Sequence, residues 1–239
     1  MAEPEVSTEP GFRRLLATVA RICLARWPAL LLAGLMVFIP LGLVDVFGYD
    51  ELEFDEDADL GTVITGLLGL SLGVIAALIG EALYAGVVAG LVVAEREGRD
   101  PSVIELLGRL PLRRLLAVDV LAALVIAAGF VFLIVPGLLF LAWFALVAPA
   151  VEVEKLGVAA AFRRSRELVR GHVWFVLGLV LPLLIAEAAI SDAAQSASFW
   201  GLGHGFAGDW LGAVLGNLLT SPLYAVAVTV LFFELRARR

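Results

Sequence analysis

LLAVDVLAALVIAAGFVFLIVPGLLFLAWFALVAPAV, residues Leu115–Val151, runs for 37 residues with a single charge, Asp119. The hydrocarbon core of a bilayer is about 30 Å thick, so a helix rising about 1.5 Å per residue crosses it in about 20 residues. The stretch is too long for one crossing and suits two, with Pro136-Gly137 supplying a turn signal in its middle. It predicts a helical hairpin in lipid. The second arm is short, and a re-entrant hairpin buried among other helices would give the same pattern.

Working outward, four more apolar stretches follow the same logic: Pro28–Val44, Leu60–Ala94, Val173–Ile190 and Leu211–Phe233. Leu60–Ala94 reads as one long helix that leaves the lipid near Glu81. The fold expected is therefore all-α and polytopic, with six transmembrane helices. Composition agrees: 61% of the 239 residues are hydrophobic, 17% are charged, and mean hydropathy is +0.98. A soluble domain is about 45–50% apolar and about 25% charged. One cysteine and two histidines exclude a disulfide framework and a Cys-type zinc site. A net charge of −7 argues against nucleic acid as a partner.

Charge placement sets the orientation. With six spans and both termini in the cytoplasm of a prokaryotic cell membrane, all 17 basic residues fall on the inner side. Asp45, Asp50, Glu51, Glu53, Asp55, Glu56, Asp57, Asp59, Glu187, Asp192 and Asp209 then face out, and only Glu81 and Asp119 remain within the membrane. Trp27 and Trp174 sit at inner ends of spans, while Trp200 and Trp210 flank the outer start of the last one, as interfacial rings do. Residues 1–10 read as a disordered acidic cytoplasmic tail, and residues 11–239 as a single six-span membrane domain.

Three inner segments are amphipathic. Phe12, Leu15, Leu16, Val19, Ile22 and Cys23 recur at helical spacing, and so do Val158, Ala161, Phe162, Ser165, Leu168 and Val169. A third begins at Asp100-Pro101, an N-cap and first-turn proline, and carries Val103, Ile104, Leu107 and Leu110. Basic helices of this kind lie in the membrane interface, and each arginine near an anionic leaflet contributes on the order of 1 kcal/mol.

The segment Val135–Gly178 is similar to a bacterial and archaeal family named for the glycerophosphoryl diester phosphodiesterase membrane domain. Pro136, Gly137, Pro149, Glu154, Arg163, Arg164, Ser165, Leu168, Gly171 and Trp174 carry the resemblance, as does the close Phe233-Glu234-Leu235-Arg236-Ala237-Arg238. Val158 stands where the family commonly has proline, and Glu152 is an added acid. The resemblance implies a six-helix membrane fold of largely unassigned function. It does not bring phosphodiesterase activity, because His172 and His204 fall on opposite sides of the membrane and cannot form the histidine pair of the separate catalytic domain.

Two functional readings follow. In the first the chain is no enzyme and organises membrane or binds a partner protein. It then contacts anionic lipid head groups through Glu154, Arg163, Arg164, Arg166 and Arg170. In the second it is a small transporter or permease, with Glu81 and Asp119 as a proton or cation site. The blander account of those acids has them near the interface, reaching water or pairing with Arg113 and Arg114. Asp55, Asp57 and Asp59 alternate like the start of a calcium loop, but Leu60 and Gly66 replace its glycine and closing glutamate, so no metal site is expected. No nucleophile elbow, phosphate loop or dinucleotide fingerprint appears, and no cofactor is implied.

Overall fold

A computed structural model describes residues 11–49, 60–203 and 205–238. The acidic tail 1–10 and the acidic turn 50–59 expected from the sequence lie outside the described residues. Among those described, the chain forms nine helices and no strand: α1 (Phe12–Tyr49), α2 (Leu60–Glu97), α3 (Val103–Arg109), α4 (Leu112–Phe132), α5 (Ile134–Phe144), α6 (Val147–Glu154), α7 (Val158–Val169), α8 (Val173–Leu202) and α9 (Phe206–Arg236). Six segments are long and apolar enough to cross a membrane, the fourth made of α5 and α6 together.

α1, α2, α8 and α9 pack side by side, and the α4–α5 hairpin leans on α2 and on α8 through α5. Small residues let these helices approach, as expected where lipid gives no hydrophobic drive to associate. Gly34 admits Leu218 and Gly80 admits Phe38 and Leu41, while Gly86 and Gly90 receive Leu110 and Leu106. The glycines of α2 thus serve two neighbours, α1 and the α3–α4 corner.

The basic segments gather at one end of the bundle. Arg26 in α1 pairs with Glu95 at 2.6 Å and with Asp100, and donates to the Arg99 carbonyl at 3.0 Å, so α1 is pinned to the end of α2. At the opposite end Gln195 donates to Asp209 at 3.0 Å, and the Trp210 indole N–H donates to the Ile39 carbonyl at 3.2 Å.

Several boundaries differ from the sequence reading. The first amphipathic stretch runs unbroken into the first span as part of the 38-residue α1. The N-cap of α3 is Ser102, whose hydroxyl accepts from the Glu105 amide at 3.2 Å, two residues beyond the expected cap Asp100. The amphipathic face of α7 turns toward protein: Ala161, Ser165, Leu168 and Val169 are buried, against α5, α6 and their neighbours. The hairpin turns at Leu133, the extended residue between α4 and α5, and Pro136-Gly137 lies in the first turn of α5. A proline there removes an N–H that has no intrahelical partner in any case. Pro149 holds the same third position in α6. The tip of the hairpin is wholly apolar and bare, with Val131 84% and Phe132 81% exposed. That surface is compatible with lipid and costly in water.

Candidate functional site

The fourth span is broken at Ala145-Leu146, between α5 and α6. A break inside an apolar span frees backbone groups that must find other partners. Ser165 on α7 supplies them: its hydroxyl donates to the Trp143 carbonyl at 2.6 Å and accepts from the Leu146 amide at 3.3 Å. This serine is fully buried. Around it, the Arg166 guanidinium lies 4.5 Å above the Trp143 ring and Phe162 meets Phe144 edge-on at 4.9 Å. The break is therefore built and held rather than frayed.

Beside the break lies a cavity of about 270 Å³. Its walls come from α2, α4, α5, α6, α8 and α9 and are mostly apolar. Into it project Glu81 from α2, Asp119 from α4 and Glu187 from α8, together with Ser221 and Tyr224 from α9. None of the three acids forms an ion pair among the described residues, and Arg114 instead donates to the Lys155 carbonyl at 3.2 Å. Nor do they close on one point as metal ligands do, since no group of three such residues stands at ligating distance among those described.

Glu81 and Asp119, expected as a pair, do share this cavity. Glu187, expected among the outward-facing acids, lines the same cavity. It lies 14 residues into α8, about 21 Å along the axis at 1.5 Å per residue, well inside an apolar helix. Its signal was available in the sequence as an acid within an otherwise uncharged run five residues after Pro182. Ser165 had a weaker signal, the one polar residue on the apolar stripe of α7. Nothing local marked its partner, because the two backbone groups it serves lie about 20 residues away on another helix.

The arginine cluster divides. Glu154 accepts two hydrogen bonds from Arg164, both at 2.9 Å, and a second cation, Arg236, approaches it at 3.4 Å. Those hydrogen bonds hold the Arg164 guanidinium above its ordinary value, so it stays charged at any pH the protein meets. Arg166 is engaged on Trp143. Arg163 and Arg170 are exposed and free to meet solvent or head groups. Glu154→Gln is expected to lower stability by about 1.5–3 kcal/mol, because it weakens a charge-assisted bidentate contact and leaves two arginines short of a counter-charge. Thermal unfolding of the detergent-solubilised protein measures this, and an unchanged midpoint would count the cluster as surface decoration.

No protein-family model matches the chain, and no solved structure matches it. Over 125 residues it is 31% identical to a "UPF0259 membrane protein" of Yersinia pestis (strain Pestoides F), and equally to one of Yersinia pseudotuberculosis serotype O:3 (strain YPIII). Each alignment covers 48% of this chain and 49% of the relative, so the chain spans about half the length of the curated relatives it matches. Their names state a membrane protein and no activity, and carry no link to glycerophosphoryl diester phosphodiesterases. Together with the six long apolar helices, they support a multi-pass membrane protein.

Proposed function

We propose that this protein is a small transporter that exchanges protons for an organic cation at the cavity between α2, α4 and α8. The observation that carries the reading is the convergence of Glu81, Asp119 and Glu187, from three helices, on one largely apolar space without a counter-ion among the described residues. Three bare carboxylates at that depth are untenable, so their charge has to be balanced by bound protons or a bound cation. Apolar walls and acids spread around the space suit an ammonium with hydrocarbon substituents better than a bare metal ion. The basic end faces the cytoplasm in this reading, following the positive-inside rule.

The test is a flux measurement in proteoliposomes loaded with a pH-sensitive dye. An inward gradient of tetraethylammonium is expected to drive protons out, and Glu187→Gln to slow that exchange at least tenfold while leaving thermal stability intact. Wild-type vesicles that behave like empty ones would overturn the reading. A second reading, contact with anionic lipid, is favoured by the exposure of Arg163 and Arg170 at the basic end.

A further inference from the structure

A second cavity, of about 320 Å³, opens at the basic end, where the last turns of α2, the α2–α3 connection, α3 and the end of α6 meet. Its size falls at the lower end of small-molecule sites, about 300–1,000 Å³. The charges around it are unlike those of the acid cavity. Arg99, Arg109 and Lys155 stand at its edge, and Glu152 lines it from α6.

Glu152 is the informative residue. It is only 9% exposed. One carboxylate oxygen accepts from the Lys155 ammonium at 2.7 Å, while the other, Oε2, is buried without a hydrogen-bond partner. A buried carboxylate oxygen left unpaired costs several kcal/mol unless something supplies a donor. Among the described residues, the Arg99 and Arg109 guanidinium groups are paired with exposed neighbours, Glu97 and Glu105, in pairs of little worth in water that an incoming anion can displace. Gly90 and Leu106 pack closely in its wall, where a Cβ on residue 90 would stand 2.9 Å from Leu106 Cδ2.

Two arginines and a lysine at the edge ask for a phosphate, and one buried unpaired carboxylate oxygen asks for an N–H donor. We propose that this cavity binds a phosphate ester carrying a primary ammonium, the chemistry of a phosphoethanolamine group. The arginines take the phosphate, and Glu152 Oε2, which solvent does not reach in the empty cavity, accepts from the ammonium after a rotation of the carboxylate. A quaternary ammonium has no N–H to offer that oxygen, and a head group without an amine leaves it unpaired. The site is separate from the acid cavity and does not depend on the transport reading.

Native mass spectrometry of the full chain, extracted in mild detergent and exchanged into mixtures of phosphatidylethanolamine, phosphatidylcholine and phosphatidylglycerol, tests this. Phosphatidylethanolamine is expected to be retained at least tenfold over the other two, and Glu152→Gln to bring the three to parity. Arg109→Ala, at an exposed position that folding tolerates, is expected to lower retention of all three. Equal or better retention of phosphatidylglycerol, or an ethanolamine preference that survives Glu152→Gln, would overturn the proposal. Millimolar O-phosphoethanolamine distinguishes the sources: displacement of the lipid assigns the site to a soluble ester, and persistence of the lipid assigns it to a membrane head group.

Discussion

Ser165→Ala is expected to destabilise the protein by about 2–4 kcal/mol, a large loss for the removal of one oxygen atom. The hydroxyl serves two buried backbone groups, the Trp143 carbonyl and the Leu146 amide, and neither has its ordinary helical partner because the span is broken between them. Leaving a buried donor or acceptor unsatisfied costs about 1–3 kcal/mol each. Water cannot easily substitute, since the site is fully buried. Thermal melting or detergent-titrated unfolding measures the loss. A second consequence separates this from generic destabilisation: Phe144 and Ala145 line the acid cavity, so the variant should also weaken tetraethylammonium binding at temperatures where it remains folded. An unchanged melting curve would show that the break is held by the aromatic contacts of Phe162 and Arg166 alone.

Gly129→Val is expected to cost about 2–3 kcal/mol by forcing the α4–α5 hairpin apart. A Cβ at residue 129 would stand 2.9 Å from the Gly137 Cα and 3.1 Å from its nitrogen, with Phe140 Cδ2 at 2.7 Å. Two of these neighbours are backbone atoms on the facing helix, so no side-chain rotation relieves the clash, and overpacking of this kind typically costs about 1–3 kcal/mol. Gly178→Ala is the matched control, since a Cβ there meets nothing within 4 Å. Equal melting of the two variants would mean that the hairpin arms are not in backbone contact.

Much of this fold could be read from residue order alone, and the reason is physical. Length and apolarity decide what crosses lipid, so Leu115–Val151 announced two helices, and the helices that match Pro28–Val44, Val173–Ile190 and Leu211–Phe233 were equally plain. Turn position was less legible. Pro136 reads as a turn residue, but proline is as comfortable in a first helical turn, and the extended residue is Leu133. The acid cavity was half legible. Glu81 and Asp119 stood out as charges in apolar runs, whereas Glu187, near the end of its run, reads as an outward-facing acid, and only the packing of α8 brings it to the same cavity. The arginine cluster showed the opposite failure. Sequence gives the charge of Arg164 and Arg166 but not their partners, and both turn inward, to Glu154 and to Trp143. Glu152 stood out only as a departure from a family pattern, and its unpaired oxygen is a fact of packing that no spacing rule contains.

The bare hairpin tip bears on how the chain enters the membrane. From Val120 to Pro149 there is no ionisable side chain. Carrying this stretch into lipid therefore strips no charge of its hydration, and α4 and α5 can insert together as one preformed helical piece from the side on which Arg113 and Arg114 remain. The turn after α1 is different in kind, because Asp50–Asp59 holds seven acids that must be hauled through the bilayer if both ends of α1 and α2 are to reach water. One chain thus holds two insertion problems. With the basic end in the cytoplasm, the α1–α2 pair would need machinery that translocates charge whereas the α4–α5 pair would partition by itself, so loss of that machinery is expected to strand the first hairpin and spare the second.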